Sequence, residues 1–238
     1  MKFQNLHRWD LSPKEAMGIQ NELRERVIKQ NSFGSISLIA GADICLDEEK
    51  KNGYAGVIIF TFPELIEVER QWAECPISFA YIPGLLAFRE APILLEAFAK
   101  LENEPDLVIF DGQGLAHPRR LGIASHLGII LDKPSIGCAK SLLIGTYQEP
   151  GEKAGSSSPL MDSREEIGLV LRTRDSVAPI FVSIGHKIDL PTCKSILLQC
   201  CDGVRIPKPT READHFVAEL KSGKLTRKKD SSSQLSLF

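Results

Sequence analysis

No run of about 18 uninterrupted apolar residues occurs in the 238-residue chain, so a membrane-spanning helix has no candidate segment. The first eight residues, Met1 to Arg8, lack the apolar stretch of a secretory signal. Six cysteines are present, yet none falls in a CxxC pair or another zinc-type spacing, which excludes the common zinc modules. They stand inside apolar runs, so they are expected to be reduced, buried thiols of a cytoplasmic protein and not a disulfide framework. No segment repeats, which removes solenoids and arrays. A net positive charge is also missing: the net charge of −2 does not announce a nucleic-acid binder. Distribution matters more than the sum. Between Arg205 and Lys229 eight basic residues stand against three acidic ones, which fits a phosphate-facing surface or a solvated face equally.

What is present is ordinary globular composition, 43% hydrophobic and 25% charged, in a chain long enough to bury a substantial core. Ser12-Pro13-Lys14-Glu15 combines a serine cap, a first-turn proline and a capping-box glutamate, and predicts a helix to about Gln30. Residues 35–45, 54–62 and 65–74 read as three antiparallel strands. A helical segment, Gly84 to Leu101, is broken or restarted by Pro92. Thereafter strands (107–110, 135–138, 166–172, 180–184) alternate with helices (121–131, 190–201, 210–221), which predicts a mixed α/β sheet covered on both sides. Gly151 to Pro159 reads as a flexible loop and Gly185-His186-Lys187 as a turn. Residues 1–225 are expected to form one domain. Residues 226–238 are expected to be a polar tail ending in Gln234-Leu235-Ser236-Leu237-Phe238.

The most informative stretch is Phe110-Asp111-Gly112-Gln113-Gly114-Leu115-Ala116-His117-Pro118-Arg119-Arg120. The apolar run before it delivers Asp111 to the rim of a sheet, and the glycines and basic residues after it suit the approach of phosphate. Asp43 lies in a second apolar strand, where an ionised carboxylate is costly unless paired or bound to metal. Taken singly, Asp43 reads equally as a turn residue or half of an ion pair, and Asp111 as a loop cap. Two such strand-end carboxylates together point to a metal site. Glu90 alone reads as a solvated glutamate. Lys140 could hold a phosphate or merely snorkel, and His117 could donate to phosphate or sit satisfied in its loop. Tyr81 before Ile82-Pro83 could be core, or a stiff wedge that pries bases apart.

These residues, in this order, resemble the endonuclease V family over nearly all of residues 1–222. The resemblance is carried by Ile39-Ala40-Gly41-Ala42-Asp43, Tyr81-Ile82-Pro83-Gly84-Leu85-Leu86-Ala87-Phe88-Arg89-Glu90, Asp111 to Gly122, Ile136-Gly137-Cys138-Ala139-Lys140 and Pro209-Thr210-Arg211. It implies a ribonuclease H-like mixed sheet with an antiparallel three-strand meander and helices on both faces. It also implies a repair nuclease that recognises deoxyinosine in DNA and hydrolyses the second phosphodiester 3′ to it, leaving a 3′-hydroxyl and a 5′-phosphate. An inosine-specific ribonuclease, another ribonuclease H-like nuclease or a non-catalytic inosine-binding protein stay open as alternatives. Asp43, Glu90 and Asp111 are implied as ligands of Mg2+ or Mn2+. Asp214, with His215 beside it, is implied as a further catalytic position, and Lys140 as another. Tyr81, Ile82 and Pro83 match the strand-separating wedge, although Ala80 replaces the usual proline, which implies a less rigid loop. His117, Arg119 and Lys140 are implied to contact DNA. Gly84, Leu85, Leu86, Gly112, Gly122 and Ile123 are implied to line a hypoxanthine pocket. The terminal Gln234–Phe238 resembles a peptide that binds the DNA polymerase sliding clamp, with glutamine for hydrogen bonds and Leu and Phe as anchors; an inert terminus is the alternative.

Overall fold

A computed structural model describes residues 1–224; the Gln234–Phe238 peptide lies outside the described residues. Helix α1 (Pro13–Leu23) starts at the predicted capping box, with the Ser12 and Glu15 side chains each accepting from the other's backbone N–H. It stops short of Gln30. A short 3-10 turn (Arg24–Arg26) follows, and Val27 turns extended. Ile28 N–H then donates to His186 Nδ1 instead of extending the helix.

Strands β1 (Leu38–Asp47), β2 (Asn52–Thr61) and β3 (Glu67–Pro76) form the antiparallel meander. Helix α2 (Leu86–Ala99) continues through Pro92, which has no N–H to offer the Phe88 carbonyl one turn back, so one ladder bond goes unmade. Strand β4 (Leu107–Phe110), α3 (Ile123–Leu131) and β5 (Ser135–Ala139) come next. They are followed by β6 (Ser157–Asp162), β7 (Glu165–Leu171), β8 (Ile180–His186), α4 (Leu190–Gln199) and α5 (Lys208–Lys221). The eight strands form one sheet in the order β3-β2-β1-β4-β5-β8-β7-β6, with β1, β4 and β5 mutually parallel and the other pairs antiparallel. The meander feeding a parallel centre is the expected ribonuclease H-like mixed sheet. Two readings change. Part of the expected 151–159 loop is β6, a half-exposed edge strand whose serines hide its pairing with β7, and His186 completes β8 while the turn begins at Lys187, with φ +53°.

Strand periodicity sorts the core into two layers. Ile39, Leu107, Ile109 and Ile136 pack with Ile196 and Leu197 of α4 and with Phe216 and Leu220 of α5. Ala40, Ala42, Val108 and Phe110 face the other way, onto α2 and α3. Alternate residues on adjacent strands thus point to the same face, which assigns Asp43 and Asp111 by parity to the face that carries α5. Of the cysteines, Cys138, Cys193 and Cys200 are buried and the other three partly so, all six as free thiols.

A histidine pair locks the N-terminal segment to this body. His7 Nδ1 donates to the Arg8 carbonyl at 2.8 Å, so His7 Nε2 is the acceptor for His126 Nε2–H at 2.7 Å. The buried His126 Nδ1 is left without a hydrogen-bond partner among the described residues. Burial, with His7 close by, pushes His126 from 6.5 down to about 3. The unfolded chain therefore takes up this proton near 6.5 while the folded chain refuses it. Stability from His126 is full above 6.5 and is lost as pH falls toward 3, by about 1.4 kcal/mol per pH unit. Burial raises Asp43 and Glu90 to about 8, which acts in the opposite sense. The difference between wild type and His126→Gln isolates the histidine: chemical denaturation at pH 6.5, 5.5 and 4.5 should show the wild type losing its advantage by about that slope. A constant difference would contradict the assignment.

Candidate metal centre and adjoining cavity

Asp111 follows directly on β4, and its N–H donates to the Ala42 carbonyl at 3.2 Å. This continues the β1–β4 register of Ala42 opposite Phe110 and sets Asp111 beside Asp43. The third carboxylate comes from α5. One oxygen each of Asp43, Asp111 and Asp214 lies within 4.8 Å of the others. α5 reaches the sheet because Gly41 has no side chain: a Cβ there would meet the Pro209 carbonyl oxygen at 2.0 Å. The ambiguity between Asp214 and His215 resolves by geometry, since Asp214 faces the cluster and His215 is exposed. Glu90, on α2 in the opposite layer, is not in this tight group but lines the same cavity as Asp111.

The electrostatics are those of anions short of a cation. Burial, then the neighbouring Asp111, pushes Asp43 up to about 8. Burial also raises Asp111, and burial chiefly raises Glu90, to about 8, with Asp111 adding to it. Lys140, at the carboxyl end of β5, bridges Asp111 at 2.7 Å and Asp214 at 2.9 Å. Burial opposes its charge, but the two carboxylates outweigh that and raise it. Hard oxygen donors converging from three elements, held together by one ammonium, suit a divalent cation of the Mg2+ class.

A cavity of about 410 Å³ opens beside the carboxylates. The Tyr81-Ile82-Pro83 segment, the expected wedge, forms one lip, and Gly84, Leu86, Gly112, Gly122 and Ile123 are among the lining residues. Leu85 does not: it is 1% exposed and packs with Ala16, Phe79 and Phe88. Tyr81 is 68% exposed, so it is no core aromatic. Leu142 and Leu143, two half-exposed leucines that sequence reasoning passed over, line the far side.

The wedge is stiffened from outside itself. At its entry the buried Arg89 donates to the Phe79 carbonyl at 3.1 Å and pairs with Glu48. At its exit the Gly84 carbonyl accepts from Gln20 Nε2 at 3.0 Å, His117 Nε2 at 3.0 Å and Arg119 Nη2 at 2.6 Å. Gly84 itself sits at φ +78°, and a Cβ would meet Arg119 Nη2 at 2.6 Å, so no other residue fits this turn without strain. His117 Nδ1 accepts from the Arg119 N–H. Both ring nitrogens are then used by a neutral ring, in keeping with a pKa that burial, and next Arg119, lowers to about 4. His117 is 5% exposed; it and Arg119 spend their hydrogen bonds on the wedge's exit, and Lys140 spends its own on the carboxylates.

A family profile described as Endonuclease V matches residues 21–215. An endonuclease V of Dehalococcoides mccartyi is 50% identical over 222 residues, 92% of this chain and 99% of that protein. Among solved structures, endonuclease V of Streptomyces avermitilis aligns with a TM-score of 0.86 at 39% identity, over 91% of this chain and 96% of that one. A Ciona intestinalis endonuclease V, solved with a 23mer DNA containing an inosine followed by a ribo-adenosine, aligns with a TM-score of 0.77 at 29% identity, over 89% and 99%.

Proposed function

The chain belongs to the endonuclease V family, and from that premise we propose that it nicks deoxyinosine-containing DNA at the second phosphodiester 3′ to the lesion, leaving a 3′-hydroxyl and a 5′-phosphate. The observation that carries this reading is the carboxylate triad Asp43, Asp111 and Asp214, of which Asp111 lines, together with Glu90 and Lys140, a cavity whose lip carries the exposed Tyr81. The triad would hold magnesium, or manganese, which neutralises charge on the phosphate and acidifies the attacking water. Glu90, across the cavity, would orient that water and accept its proton. Lys140 would turn from Asp214 toward the scissile phosphate. Tyr81, Ile82 and Pro83 enter the stack while the lesion base swings into the cavity. The penalty of a few kcal/mol for unstacking is smallest at a weak inosine pair. Hypoxanthine lacks the exocyclic amine of guanine, and a close backbone wall rejects guanine on that ground. Outside the described residues, Gln234–Phe238 would tether the enzyme to a sliding clamp and raise its local concentration on DNA.

The test is a nicking assay on end-labelled duplexes carrying inosine or guanine at one position, with an inosine-containing RNA in parallel. The expected result is one nick, two phosphodiesters into the inosine DNA, that a ligase can reseal, with the guanine control spared. Equal cutting of the control would overturn the reading, and faster cutting of the RNA would move the substrate to RNA. No helix among the described residues is long and apolar enough to cross a membrane.

A further inference from the structure

Gln20 is a fully buried polar side chain on α1, remote in sequence from every catalytic motif. Its amide is completely used. One group, Nε2, donates to the Gly84 carbonyl at 3.0 Å and to the Leu121 carbonyl at 3.2 Å, and Oε1 accepts from Arg119 Nε. Those two carbonyls belong to two segments that reach the cavity: Gly84 and Leu86 line it from one, and Gly122 and Ile123, which follow Leu121, from the other. A single Nε2 bonded to both holds the two segments together. Exchange for an apolar residue removes the tie between the two segments: the Leu121 carbonyl loses its bond from Gln20, while the Gly84 carbonyl keeps those from His117 and Arg119.

We propose that Gln20 is a positioning residue that sets the width of the base cavity and thereby the discrimination between hypoxanthine and guanine. This rests on the cavity being the base pocket. The two bases differ by one amine, whose exclusion needs a wall that cannot retreat. A strap of two hydrogen bonds from a rigid, capped helix supplies that resistance, whereas Gly84, lacking a side chain, has none of its own. Gln20 touches neither base nor phosphate and acts only through the walls.

The experiment compares wild type with Gln20→Met, which keeps the volume, and Gln20→Glu, which keeps the shape and the acceptor for Arg119 but loses both donors. Single-turnover nicking is measured on inosine and guanine duplexes, after thermal melts establish folding. Wild-type preference for inosine tests the base-pocket reading by itself. Both variants should then lose inosine-over-guanine preference by about ten-fold or more, the scale of two hydrogen bonds, with the guanine rate rising. Hydrogen exchange at residues 82–86 should quicken in both. A uniform slowing on both substrates, or wild-type preference in folded Gln20→Met, would overturn the proposal. If Met does not fold, the Glu variant and its exchange pattern decide it by the same criteria.

Discussion

Replacing Asp43 with alanine is expected to slow nicking at deoxyinosine by at least about a thousand-fold while leaving binding to the same duplex nearly unchanged. The size follows from what a metal contributes, several kcal/mol of charge stabilisation in the transition state, at about 1.4 kcal/mol per factor of ten. Among the described residues, Asp43 is the one member of the triad without a side-chain ion pair, since Lys140 reaches only Asp111 and Asp214. Its buried carboxyl is held up to about 8 by burial and by Asp111. Its removal unpairs no lysine, so the fold should tolerate it. Single-turnover rates and gel-shift affinities measured together check the split. A loss shared equally between affinity and rate would point to misfolding and not to chemistry.

The second large effect is expected from a residue that does no chemistry. In Gly41→Ala the new Cβ would lie 2.0 Å from the Pro209 oxygen and 2.2 Å from its carbonyl carbon. These are backbone atoms with no rotamer to yield, so α5 must move off β1. Overpacking of this kind costs about 1–3 kcal/mol, and a carboxylate displaced by about 1 Å costs about a hundred-fold in rate. The variant should melt lower and nick about a hundred-fold slower, with Mn2+ needed at higher concentration because Asp214 rides on α5. Gly34→Ala is the control: no atom lies within 4 Å of its Cβ, and it should match wild type. A Gly41→Ala protein with normal rate and metal requirement would show that the contact of α5 with β1 does not place Asp214.

How much of this was legible in the sequence differs from residue to residue. Asp43 and Asp111 could be found because each ends or interrupts an apolar strand, a setting where charge is expensive. That these two strands would pair was not visible, since the β1–β4 register joins residues about 70 positions apart, Ile39 opposite Leu107. Glu90 was expected in the innermost set, but it comes from the α2 layer and the tight cluster took Asp214 instead. β6 escaped because a half-exposed edge strand of serines has the composition of a loop. His117 was left open between a phosphate donor and a satisfied loop residue, and the resemblance implied DNA contact for it and Arg119; only coordinates show both turned to the Gly84 carbonyl. Gln20 left one faint signal, a polar residue on the buried stripe of α1 between Ala16 and Leu23. The wedge shows the same division. Its exposed apolar tip is written in Tyr81-Ile82-Pro83, whereas its anchorage comes from Arg89 and three donors elsewhere in the chain.

Calorimetric titration of Mn2+ into the full-length protein without DNA bears most directly on the claim that Asp43, Asp111 and Asp214 act as one cation site. Saturable binding is predicted for the wild type, weakened at least ten-fold by Asp43→Ala, Asp111→Ala or Asp214→Ala. It should be tightened by Lys140→Ala, which removes the ammonium competing for two of the ligands. Wild-type affinity in all three aspartate variants would contradict the account.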